Sequence, residues 1–499
     1  MSSEKESTGQ FTGLRAALWP IHKFELKKFI PMAIIMFCIL FNYTVLRDTK
    51  DALVVNTMGA AALPFLKLII TPCAILFVVI YAKLVTLFDS ERVFYMIITP
   101  FLIFFGLFGF VLYPMLDQVH MSQETVQYLY SLTSKQWIHQ LIDIAANWTS
   151  SLFYILAEIW GSAMIALMFW QFANRITRRS EAKRFYGLFQ TFGNAALMLS
   201  GPTVVFFSNP GNFEWNTSVK FLCASIVIMG IICMVVYRWM HTNVLNDKLY
   251  YDPAEVTAKK KKEKPGLLES LKIIFRSREL GYIAILMLSY GITVNLVELQ
   301  WKDQMKIYFA GDKGAYNAFM GWQSFYIGLF TVFFSWFIGT NILRRASWGV
   351  AAMITPVLML TLGSIFFACI VSEDLMMHLF SAYIANPVVG AVFVGLAAVV
   401  VSKSIKYALF DPTKDLAYMT LDETSQTTGK AAVDVIGGRA GKAGGAMIQA
   451  TFLIVCSTKT LSVIAPYTGV IYVIICALWI WAVIGLSRVI TQNAQRASS

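Results

Sequence analysis

Apolar stretches of membrane length constrain this chain more than any other feature. They fall at roughly 29–46, 64–85, 93–115, 148–172, 185–207, 219–239, 280–301, 316–340, 347–371, 380–402, 433–456 and 463–486. A helix needs about 20 apolar residues to cross a bilayer, and only helices or closed barrels satisfy their own backbone there. The twelve stretches therefore predict an all-α polytopic membrane protein with twelve transmembrane helices. Only 14% of the residues are charged, against about 25% in soluble domains, so the main partner of this surface is a lipid bilayer. The net charge of +12 does not point to nucleic acid, because nine basic residues sit in one loop and many others flank apolar stretches. Seven cysteines, at 38, 73, 223, 233, 369, 456 and 476, lie in or beside apolar runs with no CxxC pair. Neither disulfides nor a metal centre is expected from them.

The longest polar interruption, 241–279, follows the sixth stretch and contains Lys259-Lys-Lys-Lys-Glu-Lys264. It divides the chain into a terminus at 1–28, six helices over 29–239, a basic loop over 240–279, six helices over 280–486 and a tail over 487–499. Within the loop, Leu267-Leu-Glu-Ser-Leu-Lys-Ile-Ile-Phe-Arg276 has the spacing of an amphipathic surface helix. Lys and Arg gather in alternate loops: five in the N-terminus, then Arg175, Arg178, Arg179, Lys183 and Arg184 after the fourth stretch, and nine after the sixth. Of the alternate loops, 3–4 holds only Lys135, 5–6 only Lys220 and 9–10 none, which predicts both termini on the cytoplasmic side. The first 28 residues read as neither a signal peptide nor a transit sequence, so a bacterial inner membrane is expected. Two six-helix halves with faint internal similarity suggest a major-facilitator architecture, in which substrate binds near the midplane between the halves.

Four charges stand where charge is expensive. Glu158 is the only Asp, Glu, Lys or Arg between Ile144 and Asn174, and Glu298 ends the uncharged run 280–297. Lys67 opens the second stretch and Lys442 lies in the glycine-rich start of the eleventh. Each intramembrane charge costs roughly 2.5–3.5 kcal/mol on the insertion scale, so each needs a partner or a function. Static ion pairs between helices are one reading, a charged pathway the other; for Lys67, snorkelling to the interface is a third. Arg47 and Lys50, in Leu46-Arg-Asp-Thr-Lys-Asp51, end the first stretch, where a solvated loop face competes with a ligand role. Tyr154, Trp160, Phe169, Trp170, Trp301 and Trp322 lie on or near helices that could line a cavity, and aromatic faces suit a nucleobase.

The segment Lys403–Gly445 mixes charges with glycines between two apolar stretches. Such glycines let a helix or a ligand approach the backbone closely. Its Arg439-Ala-Gly-Lys-Ala443 resembles only the tail of a phosphate-binding loop, with Ile436 in place of the first Gly and Ala443 in place of the metal-binding Ser or Thr. No HExxH, GxSxG or paired-cysteine pattern occurs, so no enzyme, cofactor or metal is expected.

Several motifs taken together resemble one family. They are Leu46-Arg-Asp-Thr-Lys-Asp51, Pro64-Phe-Leu-Lys67, Ala157-Glu-Ile-Trp-Gly161, Phe169-Trp-Gln-Phe-Ala-Asn174, Asn295-Leu-Val-Glu298, Lys406-Tyr-Ala-Leu-Phe-Asp-Pro-Thr-Lys414 and Gly429-Lys-Ala-Ala-Val-Asp434. The chain resembles, over nearly its whole length, the non-mitochondrial ATP/ADP translocases of rickettsiae, chlamydiae and plastids. That resemblance implies exchange of ATP for ADP; phosphate is a further candidate substrate, and a monomer is expected. It also implies that Lys67, Glu158, Glu298 and Lys442 matter for transport. On that basis Lys67 and Lys442, with Arg439 and Lys50, are expected to hold phosphates. Glu158 and Glu298 are expected to pair with these lysines in the empty carrier. Asn295 and nearby aromatics such as Tyr154 would read the base, with Arg47 alongside. A broader nucleotide exchanger, a nucleotide–proton symporter and a nucleotide-binding membrane protein without transport remain alternatives. Met419-Thr420 and Asp434-Val-Ile-Gly-Gly438 depart from the family pattern and leave base selectivity open.

Overall fold

Alternating apolar runs and short polar turns fold into long antiparallel helices. The computed structural model describes residue 15 and residues 19–247, 250–251, 277–339, 342, 345–372, 386–419 and 430–498. The expected surface helix at 267–276 and the start of the tenth stretch, 380–385, lie outside the described residues. The helices are α1 (Leu26–Met58), α2 (Ala62–Leu87), α3 (Ser90–Leu107), α4 (Trp148–Trp160), α5 (Arg179–Ser208) and α6 (Trp215–Asn243). After the basic loop come α7 (Arg278–Tyr308), α8 (Lys313–Phe333), α9 (Trp348–Val371), α10 (Pro387–Ile405), α11 (Lys430–Val455) and α12 (Leu461–Ser498). Among the described residues, nine helical segments are long and apolar enough to cross a membrane. The remaining three, α5, α8 and α11, are less apolar and sit among them.

Two helix bounds differ from the sequence reading for one reason. The first stretch was expected to stop at Arg47, yet α1 runs on to Met58, and Asp48, Thr49, Lys50 and Asp51 are all buried within it. Likewise α7 passes Trp301 and carries Lys302 and Asp303 inward. Hydropathy alone ends a span at its first charges, whereas charges neutralised by one another can continue it. The loop-face reading of Arg47 and Lys50 is therefore overturned.

Helices α4 and α10 each loosen into a π-helical run, Gly161–Phe169 and Lys406–Phe410, before resuming as Trp170–Ile176 and Asp411–Met419. A π-run rotates the residues beyond it around the axis, and such runs often occur at functional sites. Here they follow Glu158 and Lys403 closely, on equivalent helices of the two sets of six.

The three largest apolar clusters among the described residues hold the bundle. One belongs to α1, α3, α4, α5 and α6, and a second to the ends of α7, α9 and α12 that lie on the side of the termini. The third is shared. Ala60–Leu66 at the α1–α2 turn pack with Leu299, Trp301 and Met305 of α7, Tyr316 and Met320 of α8, and Leu453 of α11. The two sets of six are thus sealed together at the end remote from the termini. A helix pair, Gln123–Ser131 and Gln136–Ala146, adds to that seal: Lys459 of the α11–α12 turn lies 3.6 Å from Asp143 and its ammonium 4.3 Å from the Tyr130 ring centre.

Helices α5 and α8 cross where Gly201 meets Gly321. A Cβ on Gly321 would stand 2.8 Å from the Gly201 carbonyl oxygen, so only glycine allows the approach. Gly321→Ala is expected to destabilise this contact by about 1–3 kcal/mol, as overpacking does in close-fitting interiors. The measurement is apparent melting temperature in detergent; an unchanged value removes the crossing as a stabilising feature.

Candidate functional site

Helix rotation decides which residues of α11 meet water. Gly437, Gly441 and Gly445 recur every four residues and form a seam against α7, where a Cβ on Gly441 would lie 3.0 Å from the Gly291 Cα. The glycines of this segment therefore serve helix packing. Lys442 is one residue on, about 100° around the helix, and is exposed. It lies in the electric field of Glu158 on α4 and of Tyr43 on α1, without a direct ion pair to either among the described residues. Glu158 is itself 31% exposed. Glu158 and Lys442, both open and one from each set of six, mark the central cleft between the sets.

Six charges form a continuous chain at the floor of this cleft. Lys50 Nζ lies 2.9 Å from Glu158 and 3.1 Å from Asp51. Asp51 is 2.8 Å from Lys302 Nζ, and Lys302 is 3.2 Å from Glu298 one turn earlier on α7. Glu298 is in turn 3.0 Å from Lys403 Nζ of α10. Glu158, Lys50 and Asp51 come from the first six helices, and Lys302, Glu298 and Lys403 from the last six. Asp51–Lys302 is the link that crosses between them. This centre is dry, at 1% and 2% exposure, while Lys403 at the far end is 16% exposed. At about 1.5 Å per residue, Asp51 stands roughly 10 Å, and Glu158 and Glu298 roughly 15 Å, from the sealed ends of their helices.

A second connection crosses nearby. Arg47 donates to Asp48 at 3.2 Å and to Ser324 Oγ of α8 at 2.6 Å, and Ser324 donates to Asp48 at 2.5 Å. Closer to the termini, Lys406 pairs with Asp411 at 2.6 Å and lies beside the Tyr407 ring.

The expected site residues divide as follows. Glu158, Glu298, Lys50, Lys67 and Lys442 come together, with Arg47 next to them. The expected pairing of Glu158 and Glu298 with Lys67 and Lys442 is not what forms: the glutamates are held by Lys50, Lys302 and Lys403 instead. Lys67, half-buried, sits in the field of Glu298, Lys302 and Glu158. Among the described residues neither Lys67 nor Lys442 has an ion-pair partner within 4 Å. Tyr154 is fully buried under Lys50, whose ammonium lies 3.8 Å from its ring centre, so it supports a lysine rather than lining the cleft. Asn295 is 3% exposed and packs on Gly445 in the α7–α11 seam, which turns it away from a base. The Arg439 side chain lies outside the described residues.

Asp51, Lys302, Lys403, Asp48 and Ser324 were missed. Lys302 had a readable signal, since it follows Glu298 by four residues on a helix. The others needed knowledge of which helices touch.

Solved transporter structures share this arrangement of helices. A bacterial homologue of the iron transporter ferroportin aligns with a TM-score of 0.55 at 12% identity, over 92% of this chain and 99% of that one. A D-xylose–proton symporter aligns at 0.54 and 13% identity, over 92% and 96%. At such identities the likeness concerns the fold, which is of major-facilitator type. Sequence similarity is far closer elsewhere. The chain is 43% identical to ADP,ATP carrier protein 1 of Rickettsia bellii over 502 residues, 99% of this chain and 100% of the relative. It is 42% identical to ADP,ATP carrier protein 1 of Chlamydia muridarum over 489 residues, 96% and 91%. Residues 4–489 match the family model described as TLC ATP/ADP transporter, and the chain therefore belongs to the TLC ATP/ADP transporter family.

Proposed function

We propose that this protein exchanges ATP for ADP across a bacterial inner membrane by alternating access, with its termini and the open cleft on the cytoplasmic side. The observation that carries the reading is a charge balance. The six-membered chain Glu158–Lys50–Asp51–Lys302–Glu298–Lys403 sums to zero, which leaves Lys67 and Lys442, one from each set of six, as cations with no anion of their own among the described residues. Two unpaired ammonium groups repel each other more strongly as a low-dielectric site closes around them. A di- or triphosphate between them reverses the sign of that interaction and forms charge-assisted hydrogen bonds. A loaded carrier can then close and reopen on the other side while an empty one is hindered, which is exchange. Tyr43 and the exposed Tyr407, whose phenols lie in the field of Lys442, offer aromatic faces for the base. The reading is of a carrier, with substrate chemistry left intact.

Purified protein in vesicles tests this directly. Labelled ATP is expected to enter ADP-loaded vesicles and not empty ones. Equal uptake into both, at zero membrane potential, overturns the exchange reading.

The most exposed acid of the six linked charges, Glu158, is where a proton would enter if the carrier were instead a nucleotide–proton symporter. Exchange in preloaded vesicles is expected to be unaffected by an uncoupler. Its loss on adding one would favour symport.

A further inference from the structure

Away from the central cleft, a second cavity opens between α3, α4 and α6 at the end of the bundle that carries the termini. It has a volume of about 320 Å³, within the range of small-molecule sites. Its rim holds Arg175, Arg238 and Glu91, and its floor holds Phe172, His241 and Tyr251. Arg238 lies 2.5 Å from Glu91, and Arg175 donates to Ser90, an uncharged hydroxyl. His241 stacks on Phe172 at 5.5 Å and 21°, and its Nδ1 is engaged by the Tyr237 carbonyl at 3.1 Å. Its Nε2 is the ring nitrogen left to face a ligand. With His241 neutral, two arginines and one glutamate leave the cavity one positive charge in excess.

The same surface of α6 continues as an apolar stripe. Ile228, Ile231 and Val235 are 56%, 51% and 62% exposed, followed by Trp239 at 41%. They are spaced by three or four residues and so share the face that leads into Arg238 and Thr242. A ligand that fits both parts has an anionic head and long hydrocarbon chains.

We propose that this cavity binds the phosphodiester headgroup of an anionic phospholipid, with the acyl chains along the Ile228–Val235 stripe. Arg175 and Arg238 contact the phosphate oxygens, and Glu91 orients Arg238. A single negative charge on the phosphodiester matches the single positive excess. Trp239 sits at the headgroup level, where amphipathic rings are favoured. The cavity is separate from the nucleotide cleft and shares no residue with it.

The test uses the full chain in phosphatidylcholine nanodiscs with phosphatidylglycerol as probe, read by native mass spectrometry and by melting temperature. The unaltered protein is expected to retain phosphatidylglycerol in preference to phosphatidylcholine and to melt higher with it. Arg175→Gln should weaken that preference roughly fivefold, as should Arg238→Gln combined with Glu91→Gln, the second change avoiding a stranded carboxylate. Lys83→Gln removes an exposed charge near the same end of α2 without touching the cavity, and should leave the preference intact. Displacement of the lipid by millimolar inorganic phosphate would support the same oxyanion chemistry with a soluble source. An unchanged preference in both cavity variants, or an equal loss in Lys83→Gln, overturns the assignment. Melting of each variant in phosphatidylcholine alone reports folding, so a misfolded variant is recognised and replaced by Arg175→Lys, which keeps the charge and should keep the preference.

Discussion

Lys302→Gln is expected to destabilise the sealed end of the bundle by about 3 kcal/mol, because it leaves the buried chain of charges one cation short, with Lys50 alone shared by Asp51 and Glu158. Asp51 is 1% exposed and Lys302 2%, so water cannot replace the lost partner. Asp51→Asn is expected to be similarly costly, since Lys302 would keep only Glu298, which Lys403 also claims. The double variant removes both charges and should recover much of the loss. A double-mutant cycle on melting temperature therefore gives a coupling well above the additive expectation. The link also joins the two sets of six, so its loss should favour the state open at the opposite end. Apparent nucleotide affinity would then change in opposite directions on the two faces of the membrane. Additive single effects, or equal changes on both faces, would show that Asp51–Lys302 is not a lock between the sets of six.

The second large effect concerns the two cations left over. Lys442→Gln and Lys67→Gln are each expected to weaken nucleotide binding by about 1.5–3 kcal/mol, or roughly tenfold to hundredfold, through loss of a charge-assisted contact to phosphate. Neither substitution leaves a stranded partner, since neither lysine has an ion pair among the described residues, so melting temperature should move little. That contrast with Lys302 separates binding from stability. Lys442→Arg need not rescue exchange, because a planar guanidinium requires a different fit from a compact ammonium. Initial rates of ADP-for-ATP exchange, measured over a range of nucleotide concentrations, decide the matter. A Lys442→Gln carrier with unchanged apparent affinity and rate would remove Lys442 from the site.

These expectations rest on pairings that no local reading supplies. Glu158 and Glu298 stood out in the sequence because a charge in a long apolar run carries a cost that depends on that run alone. Their partners did not stand out. Lys50 looked like the end of a span, since hydropathy treats each charge as unpaired, and Asp51 beside it drew no notice. Tyr154 and Asn295 looked like ligand groups by residue type, and both are buried, one beneath Lys50 and the other against Gly445.

The sequence by itself determined the all-helical membrane fold, the family and the intramembrane carboxylates. Hydrophobic length, motif identity and the cost of a buried charge can each be read along the chain without knowing what it touches. Tertiary structure alone decided that Glu158 is held by Lys50, that Asp51 meets Lys302, and that Lys67 and Lys442 have no anion beside them among the described residues. Those outcomes depend on how far each helix is rotated about its axis. The rotation is set by close packing such as the glycine seam of α11 on α7 and the Gly201–Gly321 crossing of α5 and α8. One residue's step around a helix is about 100°, enough to turn a side chain from a cleft into a seam.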